Sequence, residues 1–141
     1  MGTPCYVGFT DPDRPETVHA RFVQFDGNPG SLIPQLRGIW TTTASRDTKA
    51  LIDAVLAHDW EYLAPDISPS CVPGPAGFSG QRPIAGVGMT LGDVGPQSLT
   101  LFTLDRTIDL GASWIYLINA ADNNVAVHSG SGELVGVHSL G

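Results

Sequence analysis

Turn-forming residues cut this chain into short pieces, which restricts it to a fold built from short elements. Glycine (17) and proline (11) supply about a fifth of the 141 residues, against a usual ~12%. They gather with Asp, Asn and Ser in recognisable turn signals. These are Asp11-Pro12-Asp13-Arg14-Pro15, Asp26-Gly27-Asn28-Pro29-Gly30, Asp122-Asn123-Asn124 and Ser129-Gly130-Ser131-Gly132. Residues Ala64 to Pro83 carry five prolines and no hydrophobic period, and they are expected to form a long loop.

Between these breaks the apolar spacing changes character. Cys5–Thr10 and Val18–Phe25 have strand character, and the Asp-Pro turn between them predicts an antiparallel hairpin. Leu32, Ile33, Leu36, Ile39 and Trp40 recur at helical spacing, with Ser31 expected as N-cap and Pro34 in the tolerated first turn. Gly38 weakens this helix. A second helix is expected to start at Ser45, to hold Asp47 in its first turn, and to share a face among Leu51, Ala54, Val55 and His58. Trp60, Tyr62 and Leu63 are expected to continue that apolar surface.

The C-terminal half reads as four strands, Leu99–Leu104, Ser113–Asn119, Val125–His128 and Leu134–His138, with Val87–Leu91 as an optional strand before them. The expected order is ββααββββ. That implies one α+β domain over residues 1–141, an antiparallel sheet of five to six strands with two helices packed on one face.

Charge excludes several classes. The net charge is −7, with 7 Lys plus Arg against 14 Asp plus Glu. Nucleic-acid polymers and anionic membrane surfaces call for a basic face that this chain lacks. No apolar run nears the ~20 residues of a membrane span, and the N-terminus has no secretory pattern. The two cysteines, Cys5 and Cys71, form no Cys-x-x-Cys, so two reduced thiols in a cytoplasmic protein are expected, with Cys5 in the core. Arg in preference to Lys, with abundant Ala, Gly and Pro, suggests a GC-rich genome of origin.

No catalytic motif is present: Gly-x-Ser-x-Gly, His-Glu-x-x-His and a phosphate loop are all missing. No metal site or cofactor is implied. With Gly130-Ser131 as the turn, His128 should face Glu133 and His138 should face Asn123, too far apart along the ladder to share a metal. His19 and Arg21 share a strand face with Val23 and Phe25. They are either the solvent side of a half-buried strand or part of a ligand-binding polar cluster. Asp26-Gly27-Asn28-Pro29 precedes the first helix, whose free N–H groups suit an anion. Alternatively it is a strand-to-helix turn with Asp26 as its cap.

The sequence around this turn resembles a small-protein family of bacteria and bacteriophages. Its members open Met-Gly-Thr, as Met1-Gly2-Thr3 does here, and carry an aromatic-Asp-Gly-Tyr-Pro motif after an early strand. Phe25-Asp26-Gly27-Asn28-Pro29 matches with Asn28 in place of Tyr, and Gln24 stands where His is frequent. The late strand Trp114-Ile115-Tyr116-Leu117-Ile118 is similar too. The resemblance implies one compact domain and a special role for the Asp26 turn.

Together these features point to a non-enzymatic cytoplasmic binding protein for a small polar or anionic, nucleotide-like ligand, or for a host protein. The expected site comprises His19, Arg21, Asp26, Gly27, Asn28 and Arg37, with Arg82 adding charge from the long loop. A hydrolase or transferase using His19 and Asp26 is the second expectation. A structural module acting by edge-strand pairing or homodimerisation is the third.

Overall fold

The computed structural model describes residues 3–11, 13–67, 83–90, 100–103, 107 and 110–141. Among the described residues, two helices and nine strands follow one another. The first hairpin is β1 (Cys5–Asp11) and β2 (Arg14–Val23). Helices α1 (Pro29–Thr41) and α2 (Thr48–Val55) come next. The strands β3 (Trp60–Leu63), β4 (Pro83–Ile84), β5 (Gly88–Thr90) and β6 (Thr100–Thr103) lead to β7 (Trp114–Asn119), β8 (Asn124–Ser129) and β9 (Leu134–Ser139).

The class is α+β with two helices, but the sheet is larger than expected and mixed. Its order is β4-β5-β3-β2-β1-β7-β8-β9, with β6 also paired to β2. Two pairings are parallel, β1 with β7 and β2 with β3. The antiparallel expectation fails because adjacent hairpins say nothing about pairings made at a distance. The two helices form a crossover that returns the chain parallel to β2, as such a connection must. Trp60-Glu61-Tyr62-Leu63 is a strand rather than an extension of the helical face. Val23 pairs with Trp60 on one side, and Trp60 with Thr90 on the other.

Helix α1 begins earlier than expected. Asn28, not Ser31, is the N-cap, and Pro29 rather than Pro34 occupies the first turn. Pro34 lies inside the helix, where it has no N–H to contribute. Asn28 caps through its backbone, whose carbonyl accepts from Ser31 and Leu32 N–H at 3.0 and 2.9 Å. Gly38 has a packing reason: a Cβ there would stand 2.6 Å from Cγ of Pro65. Helix α2 is capped by Asp47, whose carboxylate accepts from Lys49 N–H at 3.1 Å. Ser45 instead sits in the linker at φ +52°.

Both helices cover one face of the sheet. Leu32, Ile33, Leu36 and Ile39 of α1 and Leu51, Ile52 and Val55 of α2 meet Cys5, Val7, Val23, Trp60, Tyr116, Ile118, Val125 and Val127 in one core. Each fully buried side chain of this size contributes roughly 1.5–3 kcal/mol. The opposite face is also apolar: Val18, Ala20 and Ile115 are fully buried, and Tyr6 packs edge-on against Phe22 and Phe102, each at 5.5 Å.

The β8–β9 hairpin contains a bulge between Val127 and His128, so the register differs from the expected one. His128 lies opposite Leu134, and His138 opposite Val125. Of the long loop, Ala64–Ile67 and Pro83 are described, and Ile67 is buried. Cys71 and Arg82 lie outside the described residues.

Candidate functional site

The residues expected to form a site divide among three places. Arg21 lies on the helix-covered face of β2, opposite Val7, and is 7% exposed. Its Nε donates to the Leu56 carbonyl at 2.8 Å, at the C-terminus of α2. Its Nη1 stands 3.9 Å from Asp59 Oδ1, and the same oxygen accepts from Phe22 N–H at 3.1 Å. The guanidinium therefore ties β2 to the end of α2, satisfying a terminal carbonyl where a cation suits the helix dipole. His19 stacks on Phe9 with ring centroids 5.2 Å apart.

The Asp26 turn lies at the other end of β2. From His19 to Val23 the strand climbs about 13 Å at ~3.3 Å per residue, and Asp26 comes after that. His19 and Asp26 therefore lie too far apart for a direct hydrogen bond. Asp26 adopts φ +59° and is exposed. Gly27 is buried. Its N–H donates to Thr3 O at 3.0 Å, and its carbonyl accepts from the Tyr116 hydroxyl at 2.5 Å. A Cβ on Gly27 would fall 2.3 Å from Thr3 O and 2.9 Å from Cys5 Sγ. The Asp-Gly core of the motif thus anchors the start of α1 to β1 and β7, and only glycine fits. Arg37 is exposed further along α1, with Nε donating to Ser139 O at 2.9 Å.

A cavity of about 1180 Å³ opens elsewhere, at the carboxyl ends of β1 and β7. Phe9 and Thr10 of β1, Leu117 and Ile118 of β7, and Ile52 and Leu56 of α2 form its walls, with Ala126 and Val137 at one side. Adjacent parallel strands ending side by side make a natural crevice for a ligand. The volume lies slightly above the ~300–1,000 Å³ common for small-molecule sites.

The polar lining is sparse and local. Lys49 and Asp53 project from α2 one turn apart, while Asn119, Asp122 and Asn124 come from the β7–β8 turn. That turn is built by Asn119, whose Oδ1 accepts from the N–H groups of Ala121 and Asp122 at 2.9 and 3.2 Å. Asn123, at φ +52°, accepts from Thr48 Oγ1 at 2.5 Å, and Thr48 in turn accepts from Trp40 Nε1 at 3.0 Å. Helix α2 and the turn are therefore held to each other across the groove's back wall. One cation against two carboxylates gives the lining a net negative charge.

Sequence reasoning missed this groove because its walls come from four separate segments, none carrying a motif. Among the described residues, no group of three His, Cys, Asp or Glu is placed to hold a metal. No helix among them is long and apolar enough to cross a membrane. No protein-family model, curated protein or solved structure matches the chain.

Proposed function

We propose that the protein is a non-catalytic binding module. It takes a small, mostly apolar ligand with a neutral or cationic polar end in the groove at the carboxyl ends of β1 and β7. The observation that carries this reading is the lining: a broad wall of Phe9, Ile52, Leu56, Leu117 and Ile118 bordered by a few polar groups. Apolar burial would supply the affinity and the polar rim the orientation.

The charge balance decides the ligand's sign. Lys49 alone would favour an anion, but Asp53 and Asp122 outnumber it in a chain of net charge −7. Arg21 and Arg37, the cations expected to hold an anion, are committed to Leu56 O and Ser139 O. A nucleotide-like anion is thus a poorer fit than an amine, an amide or an alcohol on an apolar body.

The test is a thermal-shift comparison of an alkylammonium, an alkyl alcohol and an alkyl carboxylate of equal chain length. A ligand at 100 times its Kd adds about 2.7 kcal/mol of stability, several degrees in a domain of this size. The amine and alcohol should raise Tm and the carboxylate should not. Ala126→Phe, which fills the groove opposite Leu117, should abolish the shift. No shift from any of the three, or a shift that survives Ala126→Phe, overturns the proposal.

A further inference from the structure

Among the described residues, strand β9 ends the sheet next to β8, and its exposed side chains are unusually apolar. Leu134, Val135 and Val137 are 57%, 58% and 56% exposed. Edge strands are ordinarily blunted by charge, proline or cover, because their unpaired backbone groups invite another strand. Here Leu134–Gly141 contains no Asp, Glu, Lys, Arg or Pro, in a chain of net charge −7. Its backbone also points the right way. Leu140 N–H turns inward to Asn123 O at 3.0 Å, whereas Ser139 O takes a bond from the Arg37 side chain. By the alternation of an antiparallel ladder, Val137 directs its N–H and C=O outward with Ser139.

The two ends of this edge carry opposite charges. Glu133 is exposed just before β9, and the exposed Arg37 lies against its far end at Ser139. From this arrangement we infer that β9 pairs antiparallel with β9 of a second copy of the chain, about a two-fold axis near the middle of the strand. The antiparallel sense brings the Glu133 end of each strand to the partner's opposite end, where Arg37 is bound to Ser139 O, and the two-fold repeats the contact. The uncharged middle spares two acidic chains from bringing like charges together, and each end offers an acid to a base. Val137 also borders the groove, so the pairing is read by mass and not by ligand binding.

Sedimentation velocity over a range of concentrations tests it. The wild-type chain should move from the 14.8 kDa monomer to a species of twice that mass as concentration rises. Val135→Lys with Val137→Lys should leave it monomeric with an unchanged circular dichroism spectrum, since both side chains are solvent-exposed. Glu133→Arg alone and Arg37→Glu alone should each raise the dissociation constant by at least threefold, and the double exchange Glu133→Arg with Arg37→Glu should recover most of that loss. Recovery reports on the antiparallel sense, because only that sense brings the Glu133 end of one strand to the Arg37 end of the other. A mass of one chain at every concentration overturns the inference. So does a dimer indifferent to the lysine pair, or one in which the double exchange is no better than the single changes.

Discussion

The Tyr116 hydroxyl donates to the Gly27 carbonyl at 2.5 Å, fastening a central strand to the turn that launches α1. Both groups are buried, so the bond is made where an unpaired carbonyl would be costly. Burial, with the neighbouring Cys5 thiol, pushes the Tyr116 phenol well above its ordinary value of 10.0, so it remains a donor throughout the working pH range. Tyr116→Phe should lower stability by about 1–3 kcal/mol in urea unfolding. Gly27→Ala should cost more, because the new methyl falls on Thr3 O and Cys5 rather than in open space.

Arg21 offers a sharper contrast between structural and ligand-binding roles. Its bond to Leu56 O and its place beside Asp59 predict that Arg21→Ala lowers stability by about 1.5–3 kcal/mol. The Asp59 contact at 3.9 Å contributes the smaller share. Amide exchange should speed most at the C-terminal turn of α2. A variant with unchanged stability and unchanged exchange would remove Arg21 from this role.

Gly38 sets two magnitudes against each other. Glycine to alanine within a helix ordinarily gains up to about 1 kcal/mol. Here the added methyl would meet the Pro65 ring at 2.6 Å, and overpacking of that kind costs roughly 1–3 kcal/mol. Gly38→Ala should therefore destabilise by about 1 kcal/mol, and Gly38→Ala with Pro65→Ala should recover the helix gain. Chemical denaturation of the two variants separates the terms.

His128 carries the pH dependence. Its Nδ1 is buried without a hydrogen-bond partner among the described residues, and burial lowers its pKa below the ordinary 6.5. Between the folded value and 6.5 the unfolded chain binds more protons, so stability rises with pH there. This contribution is whole above 6.5 and is lost as the pH falls through 6.5 towards the folded value. His128→Phe should flatten the stability profile between pH 7 and pH 5 relative to the wild type. An unchanged slope would show that His128 does not govern it.

The sequence makes the hairpins legible because their signals are local. Asp11-Pro12-Asp13 and Ser129-Gly130-Ser131-Gly132 each sit between strand-like runs, and both β1–β2 and β8–β9 pair antiparallel. Strand β3 is hidden because Trp60, Tyr62 and Leu63 follow on from the helical face of Leu51 and Val55, and only pairing with β2 and β5 makes them extended. On β2, alternation misleads about exposure, since Val18 and Ala20 are buried on one face while Arg21 and Val23 are buried on the other. The Asp26 turn stands out for its covalent geometry and close packing. The groove has no such signature, because Phe9, Ile52 and Leu117 meet only after the chain has closed.

The parallel register of Cys5 with Trp114 also governs the order in which the chain can mature. The first hairpin emerges early during synthesis, yet the β7 side of β1 stays unpaired until Trp114–Leu117 have been made. Closing so long a loop is slow, since its entropy is lost before the contact rewards it. Through that interval Cys5, Val7 and the backbone edge of β1 are open to other nascent strands. Truncation before Trp114 should therefore yield an aggregating fragment, and the arrival of β7 decides whether β1 is safe.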